Sequence, residues 1–153
     1  MPIYLVQHGK CNPGETDPGR KLSKQGADDV TRIASVAKGY SVQVSKICHS
    51  GKERAKMTAE IFGSFLSPPQ GIVQISGIDP MDDVKVFAQS LDPASNIMYA
   101  GHLPFMQKLA SFLVSGNEAI TAFKFQNGGI VCVDRENDAA LWHIKWALMP
   151  EVV

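Results

Sequence analysis

Three short apolar runs in this chain each lead into a polar motif, and their spacing leaves few folds open. Ile3-Tyr4-Leu5-Val6 runs into Gln7-His8-Gly9-Lys10, and Ile97-Met98-Tyr99-Ala100 runs into Gly101-His102-Leu103-Pro104. Between them, the stretch from Val44 to Cys48 is followed by Ser50-Gly51-Lys52-Glu53-Arg54-Ala55. As parallel strands of one sheet, the three runs would release all three motifs at its carboxyl edge, where open α/β sheets place their ligands. The imidazoles of His8 and His102 would then converge on the Arg54 guanidinium, a set suited to a phosphoryl group.

The intervening segments read as helices. Ser23 is a fitting N-cap for a helix whose stripe is Val30, Ile33, Ala34 and Ala37, with Gly39 as its stop. From Lys52 to Leu66 a second helix places Ala55, Ala59, Phe62 and Leu66 on one face, and Pro68-Pro69 ends it. Asp82-Asp83 opens a short helix with Val84, Phe87, Ala88 and Leu91 inward. Pro104 suits the first turn of a helix that buries Phe105, Leu109, Phe112 and Leu113. Toward the end, Ile130 to Val133 and Leu141 to Ala147 flank a turn-rich stretch, and Trp142, Ile144 and Trp146 alternate with His143 and Lys145 as on a strand with two unlike faces. The expected fold is one α/β domain over residues 1–153, a three-layer α/β/α sandwich with a mainly parallel sheet and an antiparallel strand from the C-terminal part.

The Leu-Val-x-His-Gly start, the Ser-x-x-x-Arg-Ala-x-x-Thr-Ala segment from Ser50 to Ala59, and Gly-His-x-Pro at Gly101 resemble, in that order, the motifs of the histidine phosphatase superfamily, the phosphoglycerate-mutase-like fold. The short chain and the segment from Arg20 to Gly26 resemble its compact SixA-like phosphohistidine phosphatases, from about Pro2 to the strand near Trp146. The family's nucleophile lies in an Arg-His-Gly motif. Here the position of that Arg is Gln7.

The resemblance implies a phosphatase that forms a phosphohistidine intermediate on His8 and acts on protein phosphohistidine or another activated phosphate. A neutral imidazole can take a phosphoryl group and later lose it to water, provided one tautomer is held. Arg20 and Arg54 are the expected phosphate clamps, His102 a further donor, and Ser50 and Gln7 additional phosphate contacts or, for Ser50, a helix cap. Asp17 stands three residues before Arg20, a spacing that resembles the SixA-like group, and is the expected leaving-group acid; Glu15, Asp79, Asp82 and Asp83 are alternatives, with capping the simpler account of the last two. His49 reads as rim or structural, His143 as packing or surface, and Cys11 as a small buried side chain. Gln keeps hydrogen-bonding ability without the cationic fork of Arg, so the activity is expected to be weakened; the rival is a noncatalytic module binding a phosphorylated partner through the same pocket.

Other classes fit poorly. No cofactor is implied, and metal binding by the histidines and a nearby Cys lacks ligand spacing and would face two arginines, so the expected hydrolase is metal-independent. With 15 basic and 15 acidic residues the formal charge is zero, and no basic run suggests nucleic acid as a partner. No apolar stretch approaches the roughly 20 residues that cross a bilayer. The start has no charged leader with a cleavage site, and three cysteines without Cys-x-x-Cys spacing fit a reduced, cytoplasmic setting.

Overall fold

In the computed structural model, residues 2–152 are described. Strands and helices alternate as β1 (Ile3–Gln7), α1 (Lys24–Gly39), β2 (Lys46–His49), α2 (Glu53–Leu66), β3 (Ile72–Gln74), α3 (Val84–Gln89), β4 (Ile97–Gly101), α4 (Phe105–Ser115), β5 (Ile130–Asp134) and β6 (His143–Leu148). The strands form one six-stranded sheet in the order β3-β2-β4-β1-β5-β6. The first four neighbours run parallel, and β5 lies antiparallel to both β1 and β6.

Strand alternation divides the core between two faces. Tyr4, Val6, Ile47, Met98 and Ala100 pack with the α1 stripe Val30, Ile33, Ala34 and Ala37 and with Ala59 and Phe62 of α2. Ile3, Leu5, Cys48 and Tyr99 point the other way, onto Val84 of α3 and Phe105, Met106, Leu109 and Leu113 of α4. The expected α/β/α sandwich is the one observed.

Local chemistry explains most boundaries. Ser23 Oγ accepts the Gly26 amide at 3.0 Å and starts α1. Asp83 Oδ1 accepts the Lys85 amide at 2.8 Å and starts α3, as capping required. Gly39, the expected stop of α1, instead lies in the last turn; the left-handed position falls on Ser41, with φ at 58°. β6 also departs from the simple alternation. Cys132 pairs with Trp146 but its neighbour Val133 pairs with Ile144, so Lys145 is the extra residue of a bulge. The bulge switches faces: Trp142 and Ile144 join the α4 side, while Trp146 packs on the α1 side.

Register brings the motifs together. Gln7 pairs with Gly101 across β1 and β4, and Ala100 pairs with His49 across β4 and β2. The polar residues after these three strands therefore share one edge of the sheet.

Candidate active site

His8 leaves β1 with its backbone held on both sides. Its amide donates to the Gly101 carbonyl at 2.9 Å, and its own carbonyl accepts from Asn127 Nδ2 at 2.9 Å and from the Gly128 amide at 3.2 Å. Its ring is held as well: Nδ1 lies 2.7 Å from the Gly9 carbonyl. A carbonyl can only accept, so Nδ1 carries the hydrogen and Nε2 presents its lone pair. Burial first, and then the charges of Arg54 and Arg20, push the His8 pKa down to about 4 against the opposing pull of the Gly9 carbonyl. The ring is neutral at pH 7, the state a nucleophile needs.

Gly9 is required by close approach. A Cβ there would lie 2.8 Å from Val30 Cγ2 and 3.0 Å from the Gly26 carbonyl. At Gly26, a Cβ would overlap the Lys10 carbonyl. The two glycines let α1 press against the turn that carries His8. From the other side, Thr58 Oγ1 of α2 accepts the Gly9 amide.

His102, 1% exposed, sits beside His8 with ring centroids 5.1 Å apart. Its Nε2 lies 2.6 Å from Ser50 Oγ, and its Nδ1 is buried without a partner. Burial, followed by the charges of His8, Arg54, Lys52 and Arg20, brings its pKa down to about 3. Arg54 occupies the first turn of α2, and its Nε is also buried without a partner. Arg20 is exposed, adopts a left-handed backbone with φ at 48°, and lies with Nη2 3.6 Å from Cys11 Sγ. Both arginines act on both imidazoles. The result is two neutral rings in a positive field, an arrangement open to an anion and hostile to a cation. Gln7 is buried at the end of β1 with its Oε1 unpartnered.

Several residues take places other than those expected from sequence. Asp17 accepts from Asn12 Nδ2 at 3.1 Å and from the Lys21 amide at 3.0 Å. These bonds, the Asn12 one foremost, hold its carboxyl below the ordinary range, which suits a loop brace for Arg20 and opposes use as an acid near neutral pH. Glu15 is exposed. Asp82 Oδ2 accepts the Asp79 amide at 2.8 Å, closing the turn before α3. Asp79 itself reaches toward Lys52, Oδ1 to Nζ 3.8 Å, and its charge acts on Arg54. Of the alternative carboxyls it is the one tied to the clamp. Ser50 does not cap α2, whose N-cap is Lys52 without a side-chain bond. His49 takes the structural one of its two expected places: it is buried, and its Nδ1 accepts the Gly51 amide at 3.0 Å. Cys11 is half-buried beside Arg20 rather than in the core, whereas His143 is exposed, the surface place expected for it. Among the described residues, no group of three or more His, Cys, Asp or Glu side chains could hold a metal ion.

Sequence reasoning missed Thr58 and Asn127 as supports. Thr58 lay inside the Ser50 to Ala59 motif, where its spacing from Arg54 was the available signal. Asn127-Gly128 reads only as a turn until the sheet brings it to His8.

The fold recurs in known proteins. The solved structure of the protein histidine phosphatase SixA complexed with tungstate matches with a TM-score of 0.84, covering 98% of this chain and 97% of that one at 24% identity. The fold is that of SixA. Phosphohistidine phosphatase SixA of Escherichia coli (strain K12) is 25% identical over 122 residues, 76% of either chain. Phosphoserine phosphatase from Entamoeba histolytica, in complex with 3-phosphoglyceric acid, extends the structural likeness at a TM-score of 0.70 and 13% identity, with 95% of each chain covered. No family model matches the chain. SixA-like homologues and structural neighbours in the histidine phosphatase superfamily support a phosphatase function for this chain. No helix among the described residues is long and apolar enough to cross a membrane.

Proposed function

We propose that this chain is a phosphatase in which His8 is the nucleophile, acting without a metal on phosphohistidine carried by a partner protein or on another activated phosphate. The observation that carries this reading is the His8 ring itself: Nδ1 tied to the Gly9 carbonyl, Nε2 free, and the ring neutral.

In the first step the Nε2 lone pair forms a bond to phosphorus while the bond from phosphorus to the leaving nitrogen or oxygen breaks. The leaving group keeps that electron pair: an imidazole bearing hydrogen on its other nitrogen departs neutral, and an oxygen leaving group takes up a proton from solvent. The charge of the transition state lies on the phosphoryl oxygens, so Arg54 and Arg20 serve by charge-assisted hydrogen bonds and Gln7 and His102 by neutral ones. In the second step water attacks phosphorus, the nitrogen–phosphorus bond returns its electrons to Nε2, and inorganic phosphate departs. Imidazole leaves far more readily than an alkoxide, so a phosphohistidine substrate asks little of an acid. That suits a site where Asp17 is committed to its loop.

A small phosphoramidate donor tests the reading. The expected product is an acid-labile, base-stable phosphoryl adduct on His8, absent in His8→Ala. An adduct confined to Cys11 or a serine would overturn it. Gln7, uncharged where the resembled motif has Arg, favours one rival, a noncatalytic module that binds a phosphorylated partner. That rival predicts phosphate binding with turnover at background.

A further inference from the structure

His102 is almost completely buried among cationic groups, yet it must offer hydrogen to an anion if the proposed phosphatase reading holds. The charged and titratable groups acting on it are His8 from the end of β1, Arg20 from the following loop, and Lys52 and Arg54 at the start of α2. None of them is a hydrogen-bond partner of its ring. Among the described residues the one such partner is Ser50, whose Oγ lies 2.6 Å from Nε2, and Nδ1 has none.

We propose that Ser50 is a positioning residue that fixes neutral His102 as the tautomer protonated at Nδ1, so that this ring donates to the phosphoryl group without first acquiring a charge. The Ser50 hydroxyl has one hydrogen to give and lone pairs that accept. Giving that hydrogen to Nε2 forces the ring hydrogen onto Nδ1, the nitrogen with no protein partner. The Lys52 amide approaches the same hydroxyl oxygen at 3.4 Å, which turns the lone pairs toward the α2 backbone and the O–H toward the ring. β2 and β4 are adjacent and in register at His49 and Ala100, so Ser50, one residue past that pair, and His102, two residues past it, leave the same edge of the sheet and meet there. Ser50 thus acts on phosphate through the imidazole rather than by touching it.

Nitrogen-15 NMR of the histidine rings at pH 7, in the ligand-free protein, reads the tautomer directly. The expected wild-type spectrum shows His102 protonated at Nδ1 and bare at Nε2. Ser50→Ala should produce a mixture of tautomers, and Ser50→Thr should restore the wild-type form. Titration with inorganic phosphate should show Ser50→Ala binding weaker by about tenfold, with Thr again restoring it. A wild-type ring protonated at Nε2, or a tautomer unchanged in a folded Ser50→Ala, would overturn the proposal. Weakened phosphate binding with an unchanged tautomer would overturn it too, because Ser50 would then contact phosphate itself. A wild-type protein that binds no phosphate would instead remove the phosphatase reading, while the ligand-free spectra still decide the role of Ser50.

Discussion

Thr58 Oγ1 accepts the Gly9 amide at 3.0 Å and donates to the Arg54 carbonyl at 2.7 Å. One buried hydroxyl therefore joins the turn that holds His8 to the helix that carries Arg54. Thr58→Val keeps the shape and leaves the Gly9 amide buried without an acceptor, a change that costs about 1–3 kcal/mol. The expected result is a lower melting temperature and a fall in kcat of about tenfold, since a misplaced imidazole loses near-attack geometry. Thr58→Ser should recover both. Thermal melts with steady-state kinetics on the three proteins check this.

Stability should fall as pH drops below the ordinary histidine range. Burial lowers both His8 and His102, to about 4 and about 3, so the unfolded chain binds protons that the native protein refuses. The stability they provide is present above about pH 6.5 and is lost as pH falls toward their native values. Each histidine contributes a slope of at most about 1.4 kcal/mol per pH unit. Denaturant unfolding between pH 7 and 5 should show the decline, and His102→Asn should reduce it. A flat profile would mean that the two rings are not protected from protons.

Gln7→Arg separates an enzyme lacking one clamp from a binding module. Added charge meets phosphoryl charge that the remaining donors leave uncompensated, so turnover of a dianionic substrate should rise by roughly ten- to a hundredfold. The rise should be largest for poor leaving groups. If the protein only binds phosphate, affinity should tighten while turnover stays at background. A melt must accompany the assay, because Gln7 is buried and a new cation there can disturb the site.

Asp17 and Asp79 should behave differently toward leaving groups. Asp17→Asn loosens the loop that presents Arg20, so KM should rise by a similar factor for aryl phosphates and phosphoramidate. Asp79→Asn should slow an alkyl phosphate most and phosphoramidate least, the pattern of a lost proton donor. Equal effects of Asp79→Asn on all substrates would assign Asp79 to electrostatic support of Lys52 and Arg54 instead.

The strand–helix order and the common edge of the motifs were legible because apolar periodicity fixes which face each residue takes. His8, His102 and Arg54 could be singled out since each lies within a few residues of a strand end. The bulge at Lys145 was not legible: an alternating Trp142, Ile144 and Trp146 looks the same whether or not the partner strand slips by one. Asp17 is a related case. Its spacing from Arg20 signalled proximity, but whether a carboxyl serves as acid or brace depends on the Asn12 and Lys21 donors, which only the folded loop supplies. Asn127 lies 119 residues from His8, beyond any local pattern.

That separation has a consequence for the order in which the protein becomes competent. His8, Arg20, Ser50 and Arg54 all lie within the first 54 residues of the chain, yet β1 pairs with β4 and β5 and not with β2 or β3. During synthesis His8 therefore emerges early and lacks the Asn127 bond to its carbonyl until residue 127 has left the ribosome. An N-terminal fragment ending at α3 would carry the nucleophile and both arginines but neither the Gly101 carbonyl nor the Asn127 amide that fixes His8 in place. Competence arrives late and all at once, when the strand made first acquires the neighbours made last.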